Sequence, residues 1–418
     1  MDEAWLHIMA HLQMEDVMRS RRVSPYFDLL CRKSLRLSKS LDIEMDCPSC
    51  VNDPKAIATV IEHCGANLQN MNLLIRPPNE KYATIPSSSQ VTTIVIKSIN
   101  SNAKKLKSLK IDRMTISLGA IENFANLPDS LEEFQISNCL MTCSQWDVIT
   151  VIHKSFEKLL KRCWKLKTFE ISGKHFNNGE FHLDPSVLKF LPKSIENVSL
   201  AVGCSLRIED LSFLKGTRLK KLVLQRSFIS ASSLENLFQM SDTLTHLDLS
   251  NSSNLLNCFE ISRLTKLKTL CLSNNREGVE DSALIQIITN CIDLEHLFID
   301  QCYLLTTNSL VQLGQIRKLK KLGISGISSV DDNVCMHIAR CTQLEFLDLN
   351  FCRKIRKQGL FYLLSSLKSL NHLEVLGILD YSHQVLAKFS NFPKTIVCDS
   401  PIQSFSFALP PIPNLVSA

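Results

Sequence analysis

The motif Leu-x-x-Leu-x-Leu recurs along nearly the whole chain. It is clearest at Leu244–Leu247–Leu249, Leu267–Leu270–Leu272, Leu294–Leu297–Ile299, Leu319–Leu322–Ile324 and Leu344–Leu347–Leu349. Subtracting 244, 267, 294, 319 and 344 in turn gives steps of 23, 27, 25 and 25 residues between leading leucines. A nearly constant period of this size is that of a solenoid, in which each supersecondary unit buries its apolar face only against its neighbours. Such a stack offers an extended surface and no enclosed cleft, which favours binding over catalysis. The same stacking lets 418 residues share one growing core, so length alone does not divide the chain into ordinary domains.

The pattern extends outward to Leu106–Leu109–Ile111, Leu131–Phe134–Ile136, Leu166–Phe169–Ile171, Ile195–Val198–Leu200, Leu219–Leu222–Leu224 and Leu370–Leu373–Val375. Weaker matches are Leu68–Met71–Leu73 and Val91–Ile94–Ile96. The step from 91 to 106 is only 15 residues, too short for a strand, a helix and two turns. Either one of these two early matches is not a repeat, or that repeat is degenerate. Alternation of apolar and polar residues through the motif is the period of a strand with one buried face. Between the strands, Asp281–Asn290 and Ser232–Met240 read as amphipathic helices with Asp281 and Ser232 near their N-terminal caps. One strand and one helix per repeat, all strands parallel, predicts an α/β horseshoe with strands inside and helices outside.

Sixteen cysteines stand out in the composition. Cys139, Cys302 and Cys352 each lie eight residues after their leading leucine, and Asn275 holds the same place. There the chain turns inward and a side chain can meet backbone groups of the loop. Cys163, Cys291 and Cys341 lie three residues before the next leading leucine, at the helix end. Over roughly residues 100–376 this combination resembles the cysteine-containing leucine-rich repeat (LRR) that is widespread in F-box proteins. The start, MDEAWLHIMAHLQMED, carries acids rather than the apolar core of a secretory signal. No run approaches the ~18 apolar residues of a membrane span. The thiols are therefore expected to be reduced and buried in a cytoplasmic or nuclear protein. The sequons at Asn197 and Asn251 are read as coincidences. A net charge of +6 without a basic stripe gives no case for nucleic acid.

Residues 1–31 depart from the repeat. Trp5, Leu6, Ile8, Met9 and Leu12 form an amphipathic run, followed by a break and a second run from Asp16. Asp16 with Val17, then Arg21, Val23, Ser24 and Phe27 resemble the middle of an F-box, and Ile8 and Leu12 fit its first helix. The resemblance implies docking of a Skp adaptor through Ile8, Leu12, Val17, Val23 and Phe27, with a cullin scaffold behind it. The family usually opens with Leu-Pro before an acidic residue, whereas this sequence begins Met1-Asp2-Glu3. Either the start is short, or adaptor binding is weakened. The alternative is that residues 1–45 only cap the open end of the stack.

No P-loop, dinucleotide fingerprint or Gly-x-Ser-x-Gly is present. Cys47-Pro-Ser-Cys50 has redox or zinc spacing but no second pair, and His7 with His11 lacks the glutamate of a metalloprotease motif. No catalytic residue, metal or cofactor is expected. Basic clusters at Lys104–Lys105, Arg162–Lys167, Arg317–Lys321 and Arg353–Lys357 read as a solvated rim near helix ends, or else as contacts for an anionic partner.

The residue after each leading leucine runs Lys107, Glu132, Lys167, Glu196, Lys220, Thr245, Lys268, Glu295, Lys320, Glu345, Asn371. Neighbouring parallel strands lie about 4.8 Å apart, so this alternation predicts a ladder of ion pairs along one edge of the sheet. The other reading is that long polar residues simply suit an exposed slot. Outward-pointing strand residues fall two, four and six places after each leading leucine. They include His246, Asp248 and Ser250; His296, Phe298 and Asp300; and Phe346, Asp348 and Asn350. Aromatics ringed by polar groups are the usual material of protein-binding hot spots, so these residues, Ser250 aside, are the expected substrate-binding set. Alternatively the apolar, proline-rich tail covers Phe298 and Phe346, or they pack irregularly.

The expected organisation is an F-box-like segment over 1–45, a connector with degenerate repeats over 46–105, LRRs over 106–394 and a tail over 395–418. The expected function is substrate recognition in an SCF-type (Skp–cullin–F-box) ubiquitin ligase, binding the adaptor and a substrate protein, without nucleic acid or membrane. The alternative is an interaction scaffold unrelated to ubiquitin.

Overall fold

In a computed structural model of the chain, the described residues are 2–10, 12, 14–44, 54–74, 90–142, 147–172, 183–201, 206–208, 211–252, 255, 258–378, 395–398 and 415–417. The chain divides into two compact units, Met1–Leu206 and Arg207–Ala418. The first opens with three helices, α1 (Asp2–Ala10), α2 (Met14–Ser20) and α3 (Pro25–Leu37). Ser24 starts α3 by accepting a hydrogen bond from the Phe27 N–H at 3.2 Å, and Pro25 fills the first turn, where no N–H partner is needed. The strands Ser40–Glu44, Asn70–Leu74, Ser108–Asp112, Glu133–Ser137, Thr168–Ser172 and Asn197–Ala201 follow, each pairing in parallel with the next.

The motif at Leu68–Met71–Leu73 is thus a repeat strand, but the one at Val91–Ile94–Ile96 is not. Only Gln90–Val91 is extended there, and Thr93–Asn102 is a helix. Val95, Ile96 and Ile99 are its buried stripe, while Ile94 is half-exposed. The apolar run of a helix start coincided with the strand motif over three residues.

In the second unit the strands are Lys221–Leu224, His246–Asp248, Thr269–Cys271, His296–Phe298, Lys321–Gly323, Phe346–Asp348, His372–Glu374 and Thr395–Cys398. Their register aligns Leu222, Leu247, Leu270, Leu297, Leu322, Leu347 and Leu373 in one row, each buried. Removing such a side chain costs about 2–5 kcal/mol. Thr395–Cys398, read above as the start of the tail, pairs in parallel with His372–Glu374 as a further strand. Residues 399–414 lie outside the described residues.

The helices close the repeats behind the strands. Asp281–Asn290 is a helix as expected, and the run at Ser232–Met240 is a helix over Ala231–Leu237 continued by a tighter turn. The caps lie just before Asp281 and Ser232, at Glu280 and Ser230. Ser230 caps the earlier helix, and Asp281 serves the next repeat, its carboxylate accepting from the Thr306 N–H at 2.8 Å. Asp332, two repeats further on, does the same for the N–H of Arg356, at 2.7 Å.

Among the described residues, nine repeats turn out of the strand through a residue with positive φ, seven places after the leading leucine: Arg113, Asn138, Arg226, Asn251, Asn274, Gln301, Gly326, Phe351 and Gly377. This left-handed residue throws the chain inward, and the next side chain lands under the preceding repeat. Cys139 donates to the Ile111 carbonyl at 3.5 Å, Ser252 to Leu224 at 3.3 Å, Cys302 to Leu272 at 3.3 Å and Cys352 to Ile324 at 3.3 Å. In every case the acceptor lies five places after the leading leucine of the repeat before. Asn275 does more, donating at 2.9 Å to both Leu249 and Leu272 and accepting from the Ser252 N–H at 2.8 Å. The helix-end cysteines work in the same way, Cys163 donating to Pro128, Cys291 to Leu264 and Cys341 to Leu313, at 3.4–3.5 Å.

The eleven cysteines whose side chains are described are free thiols, and ten of them are buried. Burial pushes Cys139, Cys163, Cys291, Cys302, Cys341 and Cys352 up to about 12, so each keeps the proton that it donates.

The charge ladder forms in both units. Glu132 sits between Lys107 at 3.8 Å and Lys167 at 2.7 Å, and Glu295 sits between Lys268 at 3.6 Å and Lys320 at 2.7 Å. The hydrogen bond from Lys167 holds Glu132 below the usual carboxylate range, and that from Lys320 does so for Glu295. The lysines are exposed enough for solvent to screen them, so the ladder favours register more than stability.

Asn275→Ala strips partners from two buried carbonyls and one N–H, and should lower stability by about 2–4 kcal/mol in urea denaturation. Asn275→Cys, which restores one donor, should recover part of that loss.

Candidate protein-binding surfaces

Helices α1–α3 pack around Met9, Val17, Leu30, Cys31 and Leu35, all buried. The Cys31 thiol donates to the Val17 carbonyl at 3.2 Å, tying α3 to α2. Asp28 accepts from Arg21 at 2.6 Å and from Arg32 at 2.9 Å, and these guanidiniums, Arg21 foremost, hold its carboxyl low. The helices also leave much apolar surface in solvent. Ile8 is 49% exposed, Leu12 40% and Val23 69%, and Trp5, Tyr26 and Leu29 join them. Trp5 and Ile8 lie three residues apart on α1, as do Tyr26 and Leu29 on α3, so each pair shares a helix face. The Phe27 ring bridges the two helices, edge-on to Trp5 at 5.2 Å and to Tyr26 at 6.2 Å.

Of the five residues expected to meet an adaptor, Ile8, Leu12 and Val23 are exposed and Phe27 is half-buried among aromatics. Val17 is a correction, because its side chain is only 3% exposed and belongs to the core of the three helices. The α2 helix is short, and its one described buried face turns inward, which the sequence pattern alone did not reveal. The His7 side chain, His11 and Cys47-Pro-Ser-Cys50 lie outside the described residues. Among the described residues, no three His, Cys, Asp or Glu side chains are placed to hold a metal ion, and no helix is long and apolar enough to cross a membrane.

In the second unit the face opposite the helices carries the expected outward residues. His246 is exposed, and Asp248, His296, Phe298, Asp300, Phe346 and Asp348 are half-buried. Phe298 and Phe346 lie 6.4 Å apart, and Phe346 stacks on His372 at 4.9 Å with the rings nearly parallel. Burial lowers the pKa of His246 and His296. Asp300 accepts from the Ser273 hydroxyl at 2.7 Å and the Ser325 N–H at 2.8 Å. Asp348 accepts from the Asn350 N–H at 2.8 Å.

Asn350 and Ser250 correct the expectation, since both are buried. Asn350 donates to Glu374 at 2.7 Å and accepts from the Leu376 N–H at 2.6 Å, so it ties two strands together and presents nothing to a partner.

Two further residues complete the face. His372 stacks on Phe346 and meets Glu374 at 3.0 Å. They occupy the outward places of the repeat that begins at Leu370, so the same arithmetic applied one repeat further would have found them. Gly323 lies between the aromatics: a Cβ there would stand 2.8 Å from Phe298 Cδ1 and from an Asp300 oxygen. Its lack of a side chain lets the ring and the carboxylate lean toward the next strand.

Burial pushes Asp348 up to about 7, with Asp300 and Glu374 adding to the shift against the pull of the Asn350 N–H and of His372. A carboxyl whose folded pKa exceeds its unfolded value stabilises the fold at low pH, and that contribution is lost as pH rises through the folded pKa. Asp348→Asn should therefore raise the melting midpoint at pH 8, by about 2–6 °C. At pH 4 it should leave the midpoint nearly unchanged. A melting curve lowered at pH 8 would contradict the assignment.

No family model matches the chain. Over 150 residues it is 33% identical to the F-box/LRR-repeat protein 4 of Bos taurus, a match spanning 34% of this chain and 24% of that protein. The chain thus aligns with about a quarter of that curated relative. Among solved structures, the internalin InlF of Listeria monocytogenes superposes with a TM-score of 0.55 at 17% identity, covering 94% of this chain and 98% of the other. A yeast Rad7–Elc1 complex gives 0.46 at 16% identity, over 69% and 80% of the two chains. By fold the chain is a leucine-rich repeat protein, and over 150 residues its sequence is similar to part of an F-box/LRR-repeat protein.

Proposed function

We propose that the chain is a substrate-receptor subunit of an SCF-type ubiquitin ligase. Helices α1–α3 dock a Skp adaptor, and through it a cullin scaffold, while the open face of the second unit captures a substrate protein. The observation that carries this reading is the apolar surface of α1–α3. Trp5, Ile8, Leu12, Val23, Tyr26 and Leu29 are 36–69% exposed on a helical segment that contributes no repeat of its own. A helical cap needs a polar outer face, and these residues are the opposite. The sequence relationship to an F-box/LRR-repeat protein supports the same reading. The chain's own residues form or break no bonds in this role; they raise the effective concentration of substrate beside a recruited conjugating enzyme.

Co-purification with Skp adaptor and cullin tests the proposal. Ile8→Asp with Val23→Asp should weaken adaptor binding at least ~tenfold, with helix content and melting behaviour kept, because both side chains are already in solvent. Val17→Asp should instead unfold α1–α3, because it buries a charge. An intact wild-type chain that binds no adaptor overturns the reading.

A further inference from the structure

The open face of the second unit is electrostatically lopsided. Four and six places after the leading leucines, from Val223 to Leu376, stand the acids Asp248, Asp300, Asp348 and Glu374, and neither Lys nor Arg occurs at any of these positions. The strand cations Lys221 and Lys321 stand one row away, half-buried and exposed. Asp348 and Glu374 are register partners on adjacent parallel strands, where backbones lie about 4.8 Å apart. Asp300 leans toward them across Gly323. The groups around Asp348 are Asp300, Glu374, His372, the Asn350 amide and the neutral Cys352 thiol, and none of them is a permanent cation. Hydrogen bonds from Asn350 and the contact of His372 with Glu374 offset part of the repulsion, and burial with the two neighbouring acids still pushes Asp348 up to about 7. Phe298 stands in the row of Asp348 and Glu374, and Phe346 and His372 stand in the row beside it, with Phe346 in contact with both other rings. Carboxylates next to aromatic faces are complementary to a cation on an aliphatic stem, which gains both charge pairing and ring contact.

We infer that this face binds a lysine- or arginine-bearing segment of a partner protein, the cation seated between Asp300, Asp348 and Glu374 and its stem against Phe298 and Phe346. The inference rests on the reading of this face as the capture surface, and it adds the chemistry of what is captured. Binding a cation competes with the proton on Asp348, so affinity rises with pH through neutrality.

The test is the fluorescence anisotropy of labelled octa-arginine and octa-glutamate titrated with the full chain at low salt, at pH 6 and pH 8. The chain is net positive by six charges, so non-specific attraction would favour octa-glutamate. The expected result is saturable binding of octa-arginine only, tighter at pH 8 by ~3–10-fold. The double variant Asp348→Asn, Glu374→Gln should weaken it at least ~fivefold, and Glu235→Gln on a distant helix should not. Phe346→Ala should weaken it as well, with circular dichroism unchanged. Equal binding of octa-glutamate, indifference to the double variant, or no octa-arginine binding at millimolar protein overturns the inference. So does self-association abolished by Phe346→Ala, which would assign the face to a second copy of the chain. Adaptor binding is measured on the same samples. Adaptor retained without octa-arginine binding removes this inference alone, and octa-arginine binding without adaptor removes the ligase role alone.

Discussion

A parallel stack with one strand per repeat leaves a carbonyl unpaired at every strand end, because the chain must leave the ladder there to reach its helix. Everything else in this molecule depends on how that carbonyl is satisfied. The solution is local and repeated: a left-handed residue turns the chain inward, and the next side chain donates to the repeat before it. Cysteine suits the place because it is small and apolar, and because burial keeps it protonated as a donor. Serine and asparagine do the same at Ser252 and Asn275. These bonds join consecutive repeats and so fix the spacing of the stack, which a row of leucines, being non-directional, could not do alone.

The same register that aligns the leucines sorts charge. Residues one place after the leading leucine meet their counterparts on adjacent strands, and Glu132 and Glu295 each find two lysines there. Four places after the leading leucine no such alternation exists, and acids accumulate beside one another at Asp348 and Glu374. One edge of the sheet is thus electrostatically self-satisfied, and the face next to it is not. A surface that sets like charges beside one another is less stable alone and better suited to a complementary partner.

Within the three N-terminal helices the division between core and surface follows from packing. Val17 and Val23 are the same residue type six positions apart, yet one is 3% exposed and the other 69%. Val17 sits on a short helix pressed against α3, whereas Val23 precedes the α3 cap. No periodicity over so short a segment separates them.

The sequence by itself determined the strands, the parallel α/β stack, the cysteine slots and the Lys/Glu alternation, because each is a periodic property and a constant period of about 25 residues reports directly on stacking. It also placed Phe298, Phe346 and Asp348 on one face, since outward places follow from strand alternation. Tertiary structure alone decided what has no period. The Val91 segment became a helix because its apolar residues fit a helical stripe in three dimensions. Asn350 became a tie between strands because Glu374 and Leu376 lie within its reach. Asp281 caps the neighbouring helix and not its own. The last two outcomes depend on contacts between residues 24–26 positions apart, and a pattern read along the chain carries no information on whether two such side chains point at one another.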